Sequence, residues 1–275
     1  MKDDEMSTTT SIEWTDITDN IIVVEGGGWW CRRISPGCDH CYAEALNQNT
    51  FFGGNKLPYR GTPPSLKLRT EIIDGWARQR KPKKHFVSSM TDIFGEWVPR
   101  EMIFAFLDGM RAAPLQTFQL LTKRPAVMLN EVFAWLRGRG LDELPENIWA
   151  GATAEDQERV DERIPVLQKV PASTHFLSCE PLLGEIDLGF ALAFIDWVIL
   201  GGESGPQARD TNLDWIDSVV AQCRTAGVPC FVKQLGSKPY YVDLHTREKT
   251  PFPISDRKGA NITDSPRHFV REFRK

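Results

Sequence analysis

Three cysteines fall within the eleven residues "CRRISPGCDHC", at Cys31, Cys38 and Cys41, half of the six in the chain. Clustered cysteines away from an oxidising compartment more often serve metal or redox chemistry than disulfides. The spacing is Cys31-x6-Cys38-x2-Cys41, and Pro36-Gly37 puts a turn into the longer gap, as wrapping a metal centre requires. Three ligands are one short of a closed tetrahedral zinc site. His40 adjoins Cys41 and is poorly placed to join the same tetrahedron. A fourth zinc ligand would come from elsewhere, for instance Cys179, Cys223 or Cys230. The alternative is a [4Fe–4S] cluster held by three thiolates, with one iron left for a small molecule. Cys179 and Cys230 lie in strand-like runs and Cys223 in a helical one, where a buried free thiol is the common case.

The elements that would position this loop show in the rhythm of the rest of the chain. Short apolar runs, rich in β-branched and aromatic residues, occur at 85–90, 117–122, 147–152, 174–179, 196–202 and 229–234, and suit buried strands. Helical patterns lie between them at about 99–112, 126–139, 155–169 and 212–226. Pro165 should bend or end the third helix; Asn212 is a cap and Gly227 a stop signal for the fourth. One further strand is expected within 12–24, and a helix after Cys41 followed by an extended loop through 45–84. Strands alternating with helices predict an α/β fold: a partial or complete (β/α) barrel of mostly parallel strands. The expected organisation is a flexible N-terminus over 1–11, one barrel domain over 12–238 carrying the cysteine loop at 31–41, and a C-terminal extension over 239–275.

In barrels the active site collects at the C-terminal ends of the strands. Polar residues follow each apolar run here: Ser88, Ser89 and Asp92; Lys123 and Arg124; Thr153; Glu180; Glu203; Lys233 and Gln234. The motif "GGESG" at 201–205, directly after "WVIL", pairs two glycines that permit close backbone approach with Glu203, an acceptor for an ammonium or a ribose.

Apolar residues make up 41% of the 275 and charged residues 25%, with a formal net charge of −4, which excludes a globally basic nucleic-acid binder. No run is long and apolar enough for a membrane span, so no membrane association is expected. The polar "MKDDEMSTTTS" start has no apolar signal-peptide core, which predicts a cytoplasmic location.

A three-cysteine loop ahead of a (β/α) barrel, with the ring residue His40 just before the last cysteine, resembles the radical S-adenosylmethionine (SAM) superfamily. The usual spacing there is C-x3-C-x2-C, and the six-residue first gap departs from it. The segments "IEWTD", "SPGCDHCYAE", "SSMTDIF", "TFQLLTKRP", "DERIP", "EPLLG", "WVILGGESGP" and "AGVPCFVKQLG" resemble, more closely, a phage- and prophage-borne radical-SAM-like family often found beside a three-Cys-motif partner protein. The likeness spans about residues 11 to 238, and the "VVEGGGWW" insertion at 23–30 departs from it. It implies that Cys31, Cys38 and Cys41 hold a [4Fe–4S] cluster whose free iron binds SAM, with His40 beside the cofactor. It further implies Ser88, Ser89 and Asp92 near the methionine amino group, Lys123 or Arg124 near its carboxylate, and Thr153 and Glu203 near the ribose. An electron donor such as flavodoxin or ferredoxin is implied as a partner.

The same resemblance implies a nucleic-acid or nucleotide substrate, such as a hypermodified thymine base in phage DNA, and an isomerase or base-modifying reaction. Arg124, Glu180, Lys233 and Gln234 are the candidate substrate contacts; no catalytic residue is assigned. The stretch 67–85, "KLRTEIIDGWARQRKPKKH", offers cations that could track phosphates and a tryptophan that could stack on a base. "KPYY" at 238–241 could be an aromatic lid or simple packing. Two other readings stand beside this one: radical-based repair of a DNA lesion, and a non-catalytic zinc-binding nucleic-acid module.

Overall fold

The computed structural model describes residues 8–274, apart from 244, 262, 267 and 268. Most of the expected flexible N-terminus, 1–7, lies outside the described residues. The fold is α/β, with seven parallel strands of the partial (β/α)-barrel type. The chain divides into two compact units, Met1–Gly151 with Val166–Thr174, and Ala152–Pro165 with His175–Lys275.

In the first unit β1 (Thr8–Thr9) runs antiparallel to β2 (Ile17–Asp19). A short second pair is formed by β3 (Ile22–Val24) and β4 (Leu66–Leu68). Strand β2 is parallel to β5 (Lys84–Val87), with Ile17 opposite His85, and β5 is parallel to β6 (Thr117–Thr122), with Lys84 opposite Thr117. Strand β7 (Ile148–Thr153) begins beside β6, where Phe118 N–H donates to the Asn147 carbonyl at 2.7 Å. Helices α1 (Tyr42–Asn47), α2 (Thr70–Trp76), α3 (Arg100–Arg111) and α4 (Pro125–Arg139) complete the unit. Helix α3 buries Ile103, Phe106, Leu107 and Met110, one face at the i, i+3, i+4, i+7 spacing. Helix α4 begins on Pro125, whose missing N–H costs nothing at a first turn, and stops at Gly140 in the left-handed region (φ 64°).

In the second unit α5 (Gln157–Leu167, its last two residues in the first unit) is followed by β8 (His175–Cys179) and β9 (Trp197–Gly201). A small sheet contains β10 (Thr211–Asn212), β12 (Pro239–Val242) and β13 (Lys249–Pro251); between β10 and β12 come α6 (Leu213–Ala226) and β11 (Cys230–Gln234). Strands β8, β9 and β11 are parallel, with Phe176 opposite Trp197 and Cys230 opposite Val198. The expected cap and stop hold for α6: the Asn212 side chain accepts from Asp214 N–H at 3.1 Å, and Gly227 takes φ 72°. "KPYY" contributes to β12.

Two expectations need correction. The strand expected within 12–24 is two, because Asn20 between them turns its side-chain oxygen to the Met90 N–H (3.1 Å) and β3 leaves the main sheet for β4. The stretch 45–84 is not only helix and loop: it contains β4 and α2, whose Ile72, Ile73 and Trp76 are buried. Helix α5 carries Pro165 inside it, two residues before its end at Leu167. No described helix is long and apolar enough to cross a membrane.

Candidate active site

The cysteine loop is fastened to the C-terminal ends of β5 and β6. Thr91 donates its hydroxyl to the Trp30 carbonyl at 2.6 Å, immediately before Cys31. The Arg124 guanidinium donates to the Arg32 carbonyl at 2.8 Å. The expected turn at Pro36-Gly37 is a 3-10 turn over Pro36–Cys38, with Cys38 N–H bonded to the Ser35 carbonyl at 2.8 Å. Cys41 then leads directly into α1.

Tyr59 binds these parts together, and nothing in the sequence spacing marks it. Its carbonyl accepts from Arg33 N–H (3.2 Å), its N–H donates to Glu44 (3.1 Å), and its hydroxyl donates to the Met90 carbonyl (2.7 Å). It is 2% exposed, and with Ala43 and Met90 forms a cluster against which Trp29, Cys31 and Cys41 pack. Burial, then the neighbouring Cys31 and Cys41, push its phenol above the ordinary range.

Cys31, Cys38 and Cys41 are free thiols and half-buried. Burial pushes the Cys31 thiol up to about 12; the Asp92 charge adds to this, and a hydrogen bond from the Asp92 backbone, then the Arg124 charge, oppose it. Cys41 is also raised by burial, with Cys38 adding to the shift and Lys123 opposing it. The thiols act on one another electrostatically, and the Arg124 guanidinium and Lys123 ammonium offset only part of the burial that raises Cys31 and Cys41. The donor set fits an iron–sulfur cluster in kind. Among the described residues no three His, Cys, Asp or Glu side chains are gathered tightly enough to hold a metal ion, so the fit is one of chemistry and neighbourhood rather than preformed ligand geometry.

The strand-end residues of this unit divide into struts and open groups. Asp92 accepts from Phe94 N–H and the Thr122 hydroxyl on one oxygen, and from Lys123 N–H and Arg124 on the other (2.6 to 3.2 Å). Those four donors fill the roughly four lone-pair sites of a carboxylate, leaving none for a ligand ammonium. Arg124 reaches Glu96, Asp92 and the Arg32 carbonyl, and lies 4.6 Å from the centre of the Trp97 ring. Burial lowers its pKa, but Asp92, Cys31 and Glu96 outweigh that and raise it overall. With all three guanidinium nitrogens engaged on its own chain, Arg124 is a strut for the loop, not a free substrate contact.

Ser88 is the opposite case. It sits just after β5 with φ 64°, a strained conformation for a side chain other than glycine, asparagine or aspartate. Its N–H is tied to the Asp19 carbonyl at 2.8 Å. Its hydroxyl is buried without a hydrogen-bond partner on the protein. A buried hydroxyl left in that state calls for an explanation, and a ligand supplies one. Ser89 donates weakly to Asn20 (3.4 Å) and its carbonyl accepts from Tyr42. Lys123 is half-buried, His40 likewise.

In the second unit the named residues are also engaged. Arg163 donates to the Thr153 carbonyl (2.7 Å) and pairs with buried Glu155 (3.0 Å). Glu203 accepts three bonds from Arg209, from its N–H, Nε and Nη2. Lys233 and Glu180 form an ion pair at 2.9 Å, and Gln234 donates to the Gly202 carbonyl at 2.8 Å. A side chain at Gly201 would strike Glu180, so glycine there makes room for that carboxylate. Cys179, Cys223 and Cys230 are buried free thiols, as expected of core cysteines. Burial raises Cys179, and the hydrogen bond with Cys223, then burial, raises Cys230, which leaves both unreactive.

The basic stretch does not serve the site in the expected way. Trp76 is 1% exposed and donates to Asp19 at 2.8 Å, so it cannot stack on a base. Arg78, Arg80, Lys81 and Lys83 precede β5 and so lie at its N-terminal end, while the cysteine loop is fastened at its C-terminal end. A four-residue strand separates the two by about 13 Å.

A family model described as protein of unknown function (DUF5131) matches residues 9–253. The chain belongs to that family. No curated protein matches it. Among solved structures a point mutant of spore photoproduct lyase is similar, with 9% sequence identity, 88% of this chain and 70% of that chain covered, and a TM-score of 0.43.

Proposed function

We propose that the protein is a radical SAM enzyme that holds a [4Fe–4S] cluster on Cys31, Cys38 and Cys41. The observation that carries the reading is three free thiols on one loop that Thr91 and Arg124 fasten to the ends of β5 and β6, with Ser88, its hydroxyl unpartnered, at the end of β5. The motif resemblance supports it. When bound, such a cluster supplies one electron for cleaving SAM to methionine and a 5′-deoxyadenosyl radical.

The chain's own residues have distinct roles in this reading. Ser88 and Ser89 bind the polar end of the ligand, with Asp92 holding the Lys123 N–H and the Arg124 guanidinium in place. Lys123 meets a carboxylate. Tyr59 and Arg124 keep the loop on its scaffold. The buried Tyr59, Ala43 and Met90 close the inner side of the loop to water, which protects a reactive radical from side reactions. Within the second unit the Lys233–Glu180 pair, with Gln234, offers both a cation and an anion to a polar ligand. The resemblance favours a nucleic-acid base or a nucleotide, with base modification, isomerisation or lesion repair as the reaction. Because Trp76 is buried and the lysines lie behind β5, a free nucleotide or a short single strand is preferred over a duplex tracked by 67–85.

The test is anaerobic reconstitution with iron and sulfide, followed by reduction with dithionite in the presence of SAM. About four iron and four sulfide per chain, and formation of 5′-deoxyadenosine, are expected. Stoichiometric zinc in place of iron, with a colourless protein, would overturn the reading in favour of a zinc module.

A further inference from the structure

In the first unit the turn from α2 into β5 borders a cleft of about 660 Å³, lined by Ala77, Arg78, Gln79, Arg80 and Leu115. Leu115 is 58% exposed. Gln116 beside it is buried and donates to the Gln79 and Lys81 carbonyls at 3.1 and 3.2 Å, which fixes the cleft wall. Residues 77–84 hold five cations, Arg78, Arg80, Lys81, Lys83 and Lys84, and no acid. Arg78, Arg80, Lys81 and Lys83 are exposed. The cleft is therefore a basic surface with an apolar floor.

The second unit carries a surface of the opposite kind. Residues 181–200 include Glu185, Asp187 and Asp196 but no Lys, Arg or His. The 3-10 turn Gly189–Ala193 is held from below by Leu188, Leu192 and Ile195, all buried. Phe190 and Phe194 are left outside, 95% and 57% exposed. Two phenylalanines exposed on one short turn mark an interaction surface. Gln157 on α5 donates to the Asp161 carboxylate (2.8 Å) and to the Asp187 carbonyl (3.2 Å), which adds Asp161 to the acidic rim. Asp161, Glu185 and Asp187 are exposed, whereas Asp196 is already paired with Arg274 at 3.5 Å.

We propose that the protein associates with itself, the Phe190–Phe194 turn of one copy docking in the Arg78–Arg80–Leu115 cleft of another. The two surfaces complement each other in both respects that matter. Guanidinium groups stack on aromatic faces, so Arg78 and Arg80 suit the two phenylalanines, with Leu115 as an apolar floor. The acidic rim meets Lys81 and Lys83, which steers the approach and fixes its direction. A phosphate backbone would use the cations but leave Leu115 and both phenylalanines uncovered. Two copies can exchange both contacts and close as a pair, or each can leave one surface open and the assembly grow with concentration. The inference does not depend on the radical SAM reading.

The test is sedimentation velocity on the full chain, over about 1 to 500 μM, the upper range of affinities such surfaces give. It is repeated from about 50 to 500 mM salt, which screens exposed charge. Wild type is expected to self-associate, more weakly as salt rises. Phe190→Ser/Phe194→Ser should weaken association about tenfold or more, as should Leu115→Ser combined with either arginine change. Each of these side chains is more than half exposed, so no cavity opens and the urea midpoints should match wild type. The deciding pair is Arg78→Glu/Arg80→Glu and Asp161→Lys/Glu185→Lys; Asp187 is kept because it accepts the Gly189 N–H. Each reversed variant alone faces like charge with like and should be monomeric. Mixed together, the acidic cleft of one meets the basic turn of the other, and association should return. A wild type that stays monomeric throughout overturns the proposal, as does a mixture no more associated than its components. Oligonucleotide binding lost in the arginine variant, with no self-association in wild type, would overturn it in favour of a nucleic-acid surface.

Discussion

Replacing Tyr59 with Phe tests whether the cysteine loop is held by its scaffold before any cluster is present. The ring stays, so its packing against Cys31 and Cys41 is kept and no cavity opens. What is lost is the hydrogen bond, 2.7 Å long, from an almost wholly buried hydroxyl to the Met90 carbonyl, together with its longer contact to the Ala43 carbonyl at 3.4 Å. Leaving a buried acceptor without its donor costs about 1–3 kcal/mol. In a chain of this size each kcal/mol lowers the melting midpoint by about 2–4 °C. Tyr59→Ala would add a cavity and raise the cost to about 3–5 kcal/mol. The assay is urea unfolding of the cluster-free protein, followed by the rate of iron uptake. The Phe variant should be measurably less stable and load iron more slowly, because Met90 is also the residue whose N–H meets Asn20 at the end of β2. A Phe variant within ~0.3 kcal/mol of wild type that loads at the same rate would refute the argument that this bond holds the loop.

Other outcomes follow from the same structure. Changing Cys31, Cys38 or Cys41 to Ala should abolish iron retention, while Cys179, Cys223 and Cys230 to Ala should keep it; full retention in Cys38→Ala would remove the cluster assignment. Arg124→Lys keeps the charge but cannot reach Asp92, Glu96 and the Arg32 carbonyl together, so it should destabilise by about 1–3 kcal/mol and impair iron loading. Neutralising Lys81, Lys83 and Lys84 should leave iron content and SAM cleavage unchanged, and a loss of turnover on DNA alone would restore a role for that stretch. The Tyr241 phenol is raised to about 12 by burial and by Asp217, so its folded state holds the proton more tightly than the unfolded chain. Its contribution is therefore complete below pH 10 and lost between about 10 and 12; urea midpoints across that window should fall in wild type and fall less in Tyr241→Phe.

The regular elements were legible because each is written in a local period. The six apolar runs after residue 85 coincide with β5 to β9 and β11 to within three residues at their ends, and the four helical patterns with α3 to α6. Helix α2 was missed because it is only seven residues long and its polar flanks, the Pro63-Pro64 pair among them, mask the apolar trio of Ile72, Ile73 and Trp76. The three cysteines declared themselves by spacing. Tyr59, Asn20 and Glu44 did not, because what makes them matter is a set of bonds to partners 15 to 70 residues away, which no window along the chain contains.

Polar residues at strand ends carried the site prediction, and the structure shows why that signal mixes two kinds of residue. A polar side chain at the mouth of a barrel can hold a ligand or hold its own scaffold, and residue type does not separate the two. Remaining hydrogen-bonding capacity does. Asp92 has four donors on its two oxygens, and Arg124 has a partner for every guanidinium nitrogen. Both are spent on the loop, and placing a ligand on either would mean breaking a buried bond first. Ser88, the smaller and chemically plainer residue, holds a strained backbone and an unsatisfied buried hydroxyl at the same strand end. Two unfavourable features kept at one residue need something to offset them, and a polar ligand at that hydroxyl would do so. Ser88→Ala should therefore leave the stability of the cluster-free protein unchanged or slightly higher, since it removes an orphaned polar group, and should weaken SAM binding in the loaded protein. A clear loss of stability in the cluster-free protein, with SAM binding intact, would make Ser88 part of the scaffold as well.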